Sequence, residues 1–234
     1  MPHNRFFIDK DTLLQDEIIS ISDDEFRHIK VMRLEENDTF EIINGQGILA
    51  IAKLESISKR EAQIKIISLN KKENCEKLVL IQALLISNKL SLIVEKATEL
   101  GIDEIIFYLS SNCEKKSLSN NDMIRFKKIA ISSSKQCGRL YLPKINYINS
   151  LDKLNINGPL FYGDIDAKSY LEKKDLSTDK KNHFIIGPEK GFSNIDLKII
   201  NDQLNAKSIK LNQNILRAET ASICACSIFA FFAN

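Results

Sequence analysis

Glycine and proline are scarce, with eight Gly and four Pro in 234 residues, which argues against long disordered or low-complexity tracts. Cysteines stand at 75, 113, 137, 224 and 226. Their number is odd and they lack paired metal-ligand spacing. Cys224 and Cys226 lie two apart on a predicted helix, so they point to different faces and do not readily chelate one ion. Reduced structural thiols and no bound metal are expected. No apolar segment follows Met1-Pro2-His3-Asn4-Arg5, so this start is not a signal peptide and a cytoplasmic protein is expected. Thr220 to Ala233 is uncharged and largely apolar, but 14 residues are short for a membrane span and suit a buried helix.

What is present fits a folded, soluble chain: 44% hydrophobic and 27% charged residues. The length admits two small domains. A net charge of +2 hides an asymmetry. Residues 1–70 hold nine Lys/Arg against thirteen Asp/Glu, and residues 71–234 hold 24 against 18. The basic surplus of the C-terminal part permits polyanion binding, yet a purely electrostatic nucleic-acid binder would be more basic.

The first 70 residues read as β-rich. Short strands are predicted at Phe6 to Ile8, Glu17 to Ile21, Thr39 to Ile43, Ile48 to Leu54 and Ala62 to Leu69, with Asn44-Gly45-Gln46-Gly47 turning the third into the fourth. A small barrel follows. Ser22-Asp23-Asp24-Glu25 has the spacing of a capping box for one interrupting helix, with Phe26 and Ile29 facing the core and Arg27, Lys30 and Arg33 outward. The polar stretch Asn70 to Asn74 is a candidate linker.

Beyond it the pattern changes. Leu78 to Ile86 is a near-continuous apolar run, as expected of a strand covered on both faces. A helix from about Lys89 follows, striped by Leu90, Ile93, Val94, Ala97 and Leu100 and ended by Gly101. The alternation continues through Ile105 to Leu109, a helix over Asn121 to Lys135 with Ile124 and Ile131 on its stripe, and strands near Ile145 to Ile148, Leu160 to Tyr162 and Phe184 to Ile186. A Ser193-x-x-Asp196 box opens a helix to Gln203. Ser208 to Leu211 and a last helix from about Ile215 to Phe232 complete it. The expected fold is α/β with a mostly parallel sheet, and the expected domains are 1–71 and 74–234.

Two strand-loop-helix stretches carry the chemistry, Ile185 to Ser193 and Leu211 to Ala221. Such loops at the carboxyl ends of parallel strands are where α/β proteins build ligand pockets. Gly187-Pro188-Glu189-Lys190-Gly191 matches neither a P-loop nor a dinucleotide fingerprint, and as a pattern alone a turn explains it as well as a site. Arg217 and Glu219 enter an otherwise uncharged helix at its first turn; either they pair with each other or Arg217 has a ligand to hold. Gly138 ends a helix and exposes Arg139 to a phosphate or to solvent. His3, His28 and His183 are scattered, and none is assigned as a base.

Taken together, Arg5-Phe6-Phe7, His28 to Arg33, Lys96-Ala97-Thr98-Glu99-Leu100-Gly101, Gln136-Cys137-Gly138-Arg139, Ile186 to Ser193 and Ile215 to Ala221 resemble the bacterial 16S ribosomal RNA uracil-N3 methyltransferases of the SPOUT class. The match runs through nearly the whole chain in order. It implies an N-terminal PUA-like RNA-binding barrel, a C-terminal α/β domain with a deep trefoil knot, and a homodimer. It also implies S-adenosylmethionine held by three loops, through Tyr162 and Gly163, through Ile186, Gly187, Pro188, Glu189 and Gly191, and through Leu211, Asn212, Ile215 and Leu216. For methyl transfer to a uridine N3, Arg217 is assigned to stabilise the developing anion and Glu219 or a water to accept the proton, and Arg5, Arg27, Lys30, Arg33 and Arg139 are candidates for phosphate contacts with 16S ribosomal RNA in the 30S subunit. Three positions depart from the family pattern: Lys190 and Asn212 replace glycines, and Lys135 replaces an acid. Two rival readings are a non-catalytic RNA-binding assembly factor with a degenerate cofactor pocket, and a methyltransferase of the same class acting on transfer RNA.

Overall fold

The structure is a computed structural model that describes residues 5–73 and 76–233. His3, Asn74 and Cys75, on which some sequence readings fall, lie outside the described residues. The chain forms two compact units, residues 1–75 with 131–142, and residues 76–130 with 143–234. Assigning 131–142 to the first unit goes beyond a boundary placed near 71–74.

In the first unit, strands β1 (Arg5–Phe7), β2 (Ile18–Ile21), β3 (Thr39–Ile43), β4 (Ile48–Ile57) and β5 (Ala62–Lys71) form one sheet in the order β1-β3-β4-β5-β2. The pairing of β1 with β3 is parallel and the rest is antiparallel. The alternating residues Ala50, Ala52 and Leu54 of β4 and Ala62, Ile64 and Ile66 of β5 point into a core shared with Phe6, Phe26, Ile29 and Phe40. The edge strands β1 and β2 do not pair with each other, so the sheet is an open half-barrel and not a closed one. Asn44 Oδ1 accepts the main-chain N–H of Gln46 and of Ile48, fixing the β3–β4 turn.

Helix α1 (Asp23–Val31) buries Phe26 and Ile29 as its spacing predicts. The expected capping box is absent. Ser22 Oγ donates to Asp23 Oδ2 instead, and Glu25 turns away from the helix start to meet Lys135 Nζ at 2.6 Å. An ion pair with a basic partner outcompetes a second bond to an exposed main-chain N–H.

In the second unit, β6 (Leu78–Ala83), β7 (Glu104–Tyr108), β8 (Lys144–Ile148), β9 (Leu160–Gly163), β10 (Asn182–Ile186) and β11 (Lys207–Ile209) form an all-parallel sheet in the order β11-β9-β10-β6-β7-β8. Every residue of β6 and β10 is buried, the signature of central strands covered on both faces.

Helix α2 (Ser87–Glu99) buries Leu90, Ile93, Val94 and Ala97, and Gly101 ends it at φ +83°. There the N–H of Ile102 returns to the carbonyl of Ala97, closing a Schellman turn. Helix α3 (Asn120–Cys137) departs from its predicted stripe: Ile124 is 57% exposed, while Phe126, Ala130, Ser133 and Ser134 are buried. Helix α4 (Asn194–Lys198) has the expected Ser193/Asp196 capping box and continues as a π-helical turn over Ile199–Gln203. The last helix, α5 (Ala218–Ala233), begins three residues later than expected, because 212–217 form a loop in which the Asn212 side chain accepts the Asn214 N–H. Phe229 of α5 packs edge-on against Phe161 and Phe184, anchoring the helix on the sheet.

Candidate functional site

Strands β9, β10 and β11 are neighbours, so the loops leaving their carboxyl ends meet. They enclose a cavity of about 390 Å³ together with the start of α5. Gly163 and Asp164 come from the first loop, Ile186 to Glu189 with Gly191 and Phe192 from the second, and Leu211, Asn212, Asn214 and Leu216 from the third. Arg217, Ala218 and Ala221 close one side, and Lys89 of α2 reaches in from another.

The second loop is held by its neighbours. The Gly191 N–H returns to the Pro188 carbonyl at 3.0 Å, and Gly191 has φ +75°, a conformation that favours glycine. Asn112 Nδ2 donates to the Gly191 carbonyl, and Tyr108 Oη donates to the Ile186 carbonyl at 3.4 Å. Burial pushes the Tyr108 phenol well above its usual range, so it remains a neutral donor. Behind the loop, buried Asp196 accepts the Ser193 N–H at 2.9 Å and both the Ser193 and Ser110 hydroxyls, which fixes where α4 begins.

Lys190 does not sit at positive φ, and neither does Asn212. Lys190 points outward to Glu114 at 3.4 Å. Replacing glycine at these two positions therefore costs no backbone strain.

Arg217 immediately precedes α5, where its carbonyl accepts the Ala221 N–H. Its exposed guanidinium lines the cavity and has no partner among the described residues. The pairing of Arg217 with Glu219, one of the two sequence readings, does not occur. Glu219 meets Lys89 Nζ at 3.4 Å, and Lys89 also donates to Glu189 Oε1 at 3.3 Å.

Ten of the residues expected at the cofactor or the chemistry line this cavity: Gly163, Ile186, Gly187, Pro188, Glu189, Gly191, Leu211, Asn212, Leu216 and Arg217. Three do not. The Tyr162 ring is buried against Phe192 and its hydroxyl reaches Asn201 at 3.3 Å. Ile215 is 77% exposed, and Glu219 stands behind the wall, joined to Lys89. Sequence reading missed Lys89 and Phe192 as lining residues. Phe192 was in sight, directly after the second loop; Lys89 reads as one more polar residue on an amphipathic helix.

A family model for the RNA methyltransferase domain matches residues 71–230. The chain belongs to the RNA methyltransferase family. A second family model, the RNA methyltransferase PUA domain, matches residues 21–67. The chain is 32% identical over 232 residues to the ribosomal RNA small subunit methyltransferase E of Rickettsia conorii, covering 96% of this chain and 94% of that protein. It is also 32% identical over 217 residues to the Buchnera aphidicola protein of the same name, with 86% and 83% covered. The Neisseria gonorrhoeae ribosomal RNA small subunit methyltransferase E, solved bound to S-adenosyl methionine, shares the fold at a TM-score of 0.86 and 24% identity, over 99% of this chain and 97% of that one. The fold is of the SPOUT type, an α/β-knot domain preceded by a PUA-like one.

The residues expected to touch RNA are placed differently from one another. Arg5 is not available at the surface: its side chain is 8% exposed, with Nε 2.9 Å from Glu41 Oε2. Arg139 Nε donates to the Tyr141 carbonyl at 2.6 Å. Arg5 thus joins β1 to β3, while the Arg139 bond stays within its own loop. Arg27 is exposed beside Asp24, Lys30 lies 4.2 Å over the Phe26 ring, and Arg33 is exposed at the end of α1 with no partner among the described residues. No group of His, Cys, Asp and Glu among the described residues could hold a metal ion. None of the described helices is long and apolar enough to cross a membrane.

Proposed function

We propose that this chain methylates N3 of a uridine in 16S ribosomal RNA with S-adenosylmethionine as methyl donor, acting as a cytoplasmic homodimer on the 30S subunit. The observation that carries the reading is the three-loop cavity with an unpartnered Arg217 on its wall.

The residues present fit the cofactor. At Gly163 a Cβ would come within 3.3 Å of Ile186 Cδ1 and 3.4 Å of Leu211 Cδ1, and at Gly187 one would come within 3.4 Å of the Phe192 ring. Side chains at these positions would fill the space where main chain and ligand approach. Apolar Ile186, Leu211 and Leu216 suit a nucleoside, and the carboxylates of Asp164 and Glu189 suit its hydroxyls and positive charge. When bound, S-adenosylmethionine supplies a methyl group already activated on a sulfonium.

The chain's own residues must orient the base and favour loss of its N3 proton. Arg217 holds a uracil carbonyl oxygen, where negative charge grows as N3 gives up its proton. Water accepts that proton, since Glu219 is held behind the cavity wall by Lys89. N3 lies on the pairing edge, so the uridine enters unpaired or splayed out of its stack. Arg27, Lys30 and Arg33 of the first unit contact phosphates.

The reading of a degenerate pocket loses its main support, since Lys190 and Asn212 are unstrained. The decisive experiment supplies labelled S-adenosylmethionine and unmethylated 30S subunits, then maps N3-methyluridine. No transfer to 16S ribosomal RNA overturns the reading; transfer to transfer RNA alone replaces its substrate.

A further inference from the structure

Lys89 stands in the first turn of α2, far in sequence from the three loops, with a side chain 23% exposed. Its ammonium donates to Glu189 Oε1 at 3.3 Å and lies 3.4 Å from Glu219 Oε2. Glu189 belongs to the loop after β10 and Glu219 to the first turn of α5, so one charge joins two walls of the cavity. Glu219 Oε2 is buried and has no hydrogen-bond partner, which leaves the ion pair with Lys89 as its compensation among the described residues. Without the ammonium, two carboxylates would face each other in a partly dry site, where like charges repel more strongly than in water. Loop and helix would separate to let water in.

We propose that Lys89 is a positioning residue, a clasp that holds the Glu189 loop against α5 and so sets how tightly the cavity grips its nucleoside cofactor. This rests on reading the cavity as the S-adenosylmethionine site. The clasp also keeps Glu219 directed away from Arg217, whose guanidinium stays free for the acceptor base. Lysine is needed for its charge and reach: arginine preserves both, whereas methionine keeps only the apolar stem.

The test uses the full chain and two readouts. In calorimetry with S-adenosylhomocysteine, Lys89→Met weakens binding at least tenfold, equivalent to about 1.4 kcal/mol, while Lys89→Arg stays within about threefold of wild type. In turnover, Lys89→Met raises the cofactor KM far more than it lowers kcat. Wild-type affinity in Lys89→Met, or equal losses in both variants, overturns the clasp. Should Lys89→Met fail to fold, Glu219→Gln takes its place: weaker binding supports the clasp and unchanged binding overturns it. Amide hydrogen exchange of residues 187–191 in the unliganded chain provides the second readout, with faster exchange in Lys89→Met expected and an unchanged rate refuting the proposal. A wild-type chain that binds no cofactor would defeat the functional reading, while the exchange result would still decide the clasp.

Discussion

Glu25 of α1 and Lys135 of α3 form an ion pair at 2.6 Å with each side chain only about one-fifth exposed. The second oxygen of Glu25 is buried without a hydrogen bond and lies 3.7 Å from His28 Nδ1, so Lys135 is the lysine or arginine the carboxylate relies on. Removing the lysine leaves it only the His28 imidazole. Lys135→Ala is expected to destabilise the first unit by about 1–3 kcal/mol, and adding Glu25→Gln should restore part of that loss. Urea unfolding of the two variants checks this.

Arg217→Ala should separate chemistry from folding. The guanidinium has no partner among the described residues, so thermal stability should stay within about 0.5 kcal/mol of wild type. Methyl transfer should fall by about 10²–10³, as when one charge-stabilising donor is removed. Equal rates in the variant and wild type would remove Arg217 from the mechanism.

Arg33 is exposed, and its guanidinium has no partner among the described residues. Arg33→Ala is expected to lower affinity for ribosomal RNA and to reduce the slope of log K against log salt by about one. Arg5→Ala should instead lower the unfolding midpoint, since Arg5 is bound to Glu41. Filter binding across a salt series distinguishes the two.

His183 supplies a pH dependence. Burial pushes its imidazole below the usual 6.5, assisted by nearby Lys181 and opposed by the hydrogen bond to the Pro159 carbonyl. The folded state therefore favours the neutral ring. Its contribution to stability is complete above the unfolded value and is lost as pH falls from about 6.5 through the lower folded value. Denaturant midpoints should drop between pH 7.5 and 5.5, and the drop should shrink in His183→Gln. A His183 proton resonance titrating at or above 6.5 would contradict the assignment.

Much of this was legible in sequence because the signals were local. The run Leu78 to Ala83, apolar but for Gln82, specifies a central strand by itself, and the loops after β10 and β11 announce themselves by glycine, asparagine and a charge in an apolar helix. Two Ser-x-x-acid boxes show where local reading ends. Ser193 with Asp196 forms the reciprocal bonds, whereas Ser22 with Glu25 does not, because Lys135 competes for Glu25 from 110 residues away. Lys89 was hidden for the same reason. Its partners lie 100 and 130 residues downstream, and only the order of strands in the sheet brings them to one ammonium. The seat of Ile124 likewise depends on which face of α3 meets its neighbours.

Residues 131–142 have a consequence for how the chain can be divided. The Leu140 and Leu142 main chain bonds to the Gly45–Gly47 turn, and the Tyr141 hydroxyl donates to the Lys72 carbonyl. Both ends of the polypeptide stretch from 76 to 130 are thus rooted in the N-terminal module. A fragment stopping at residue 73 would leave its β3–β4 hairpin tip bare and its Glu25 without Lys135. That module is excised only by a protein engineer who carries the later segment along on a new linker.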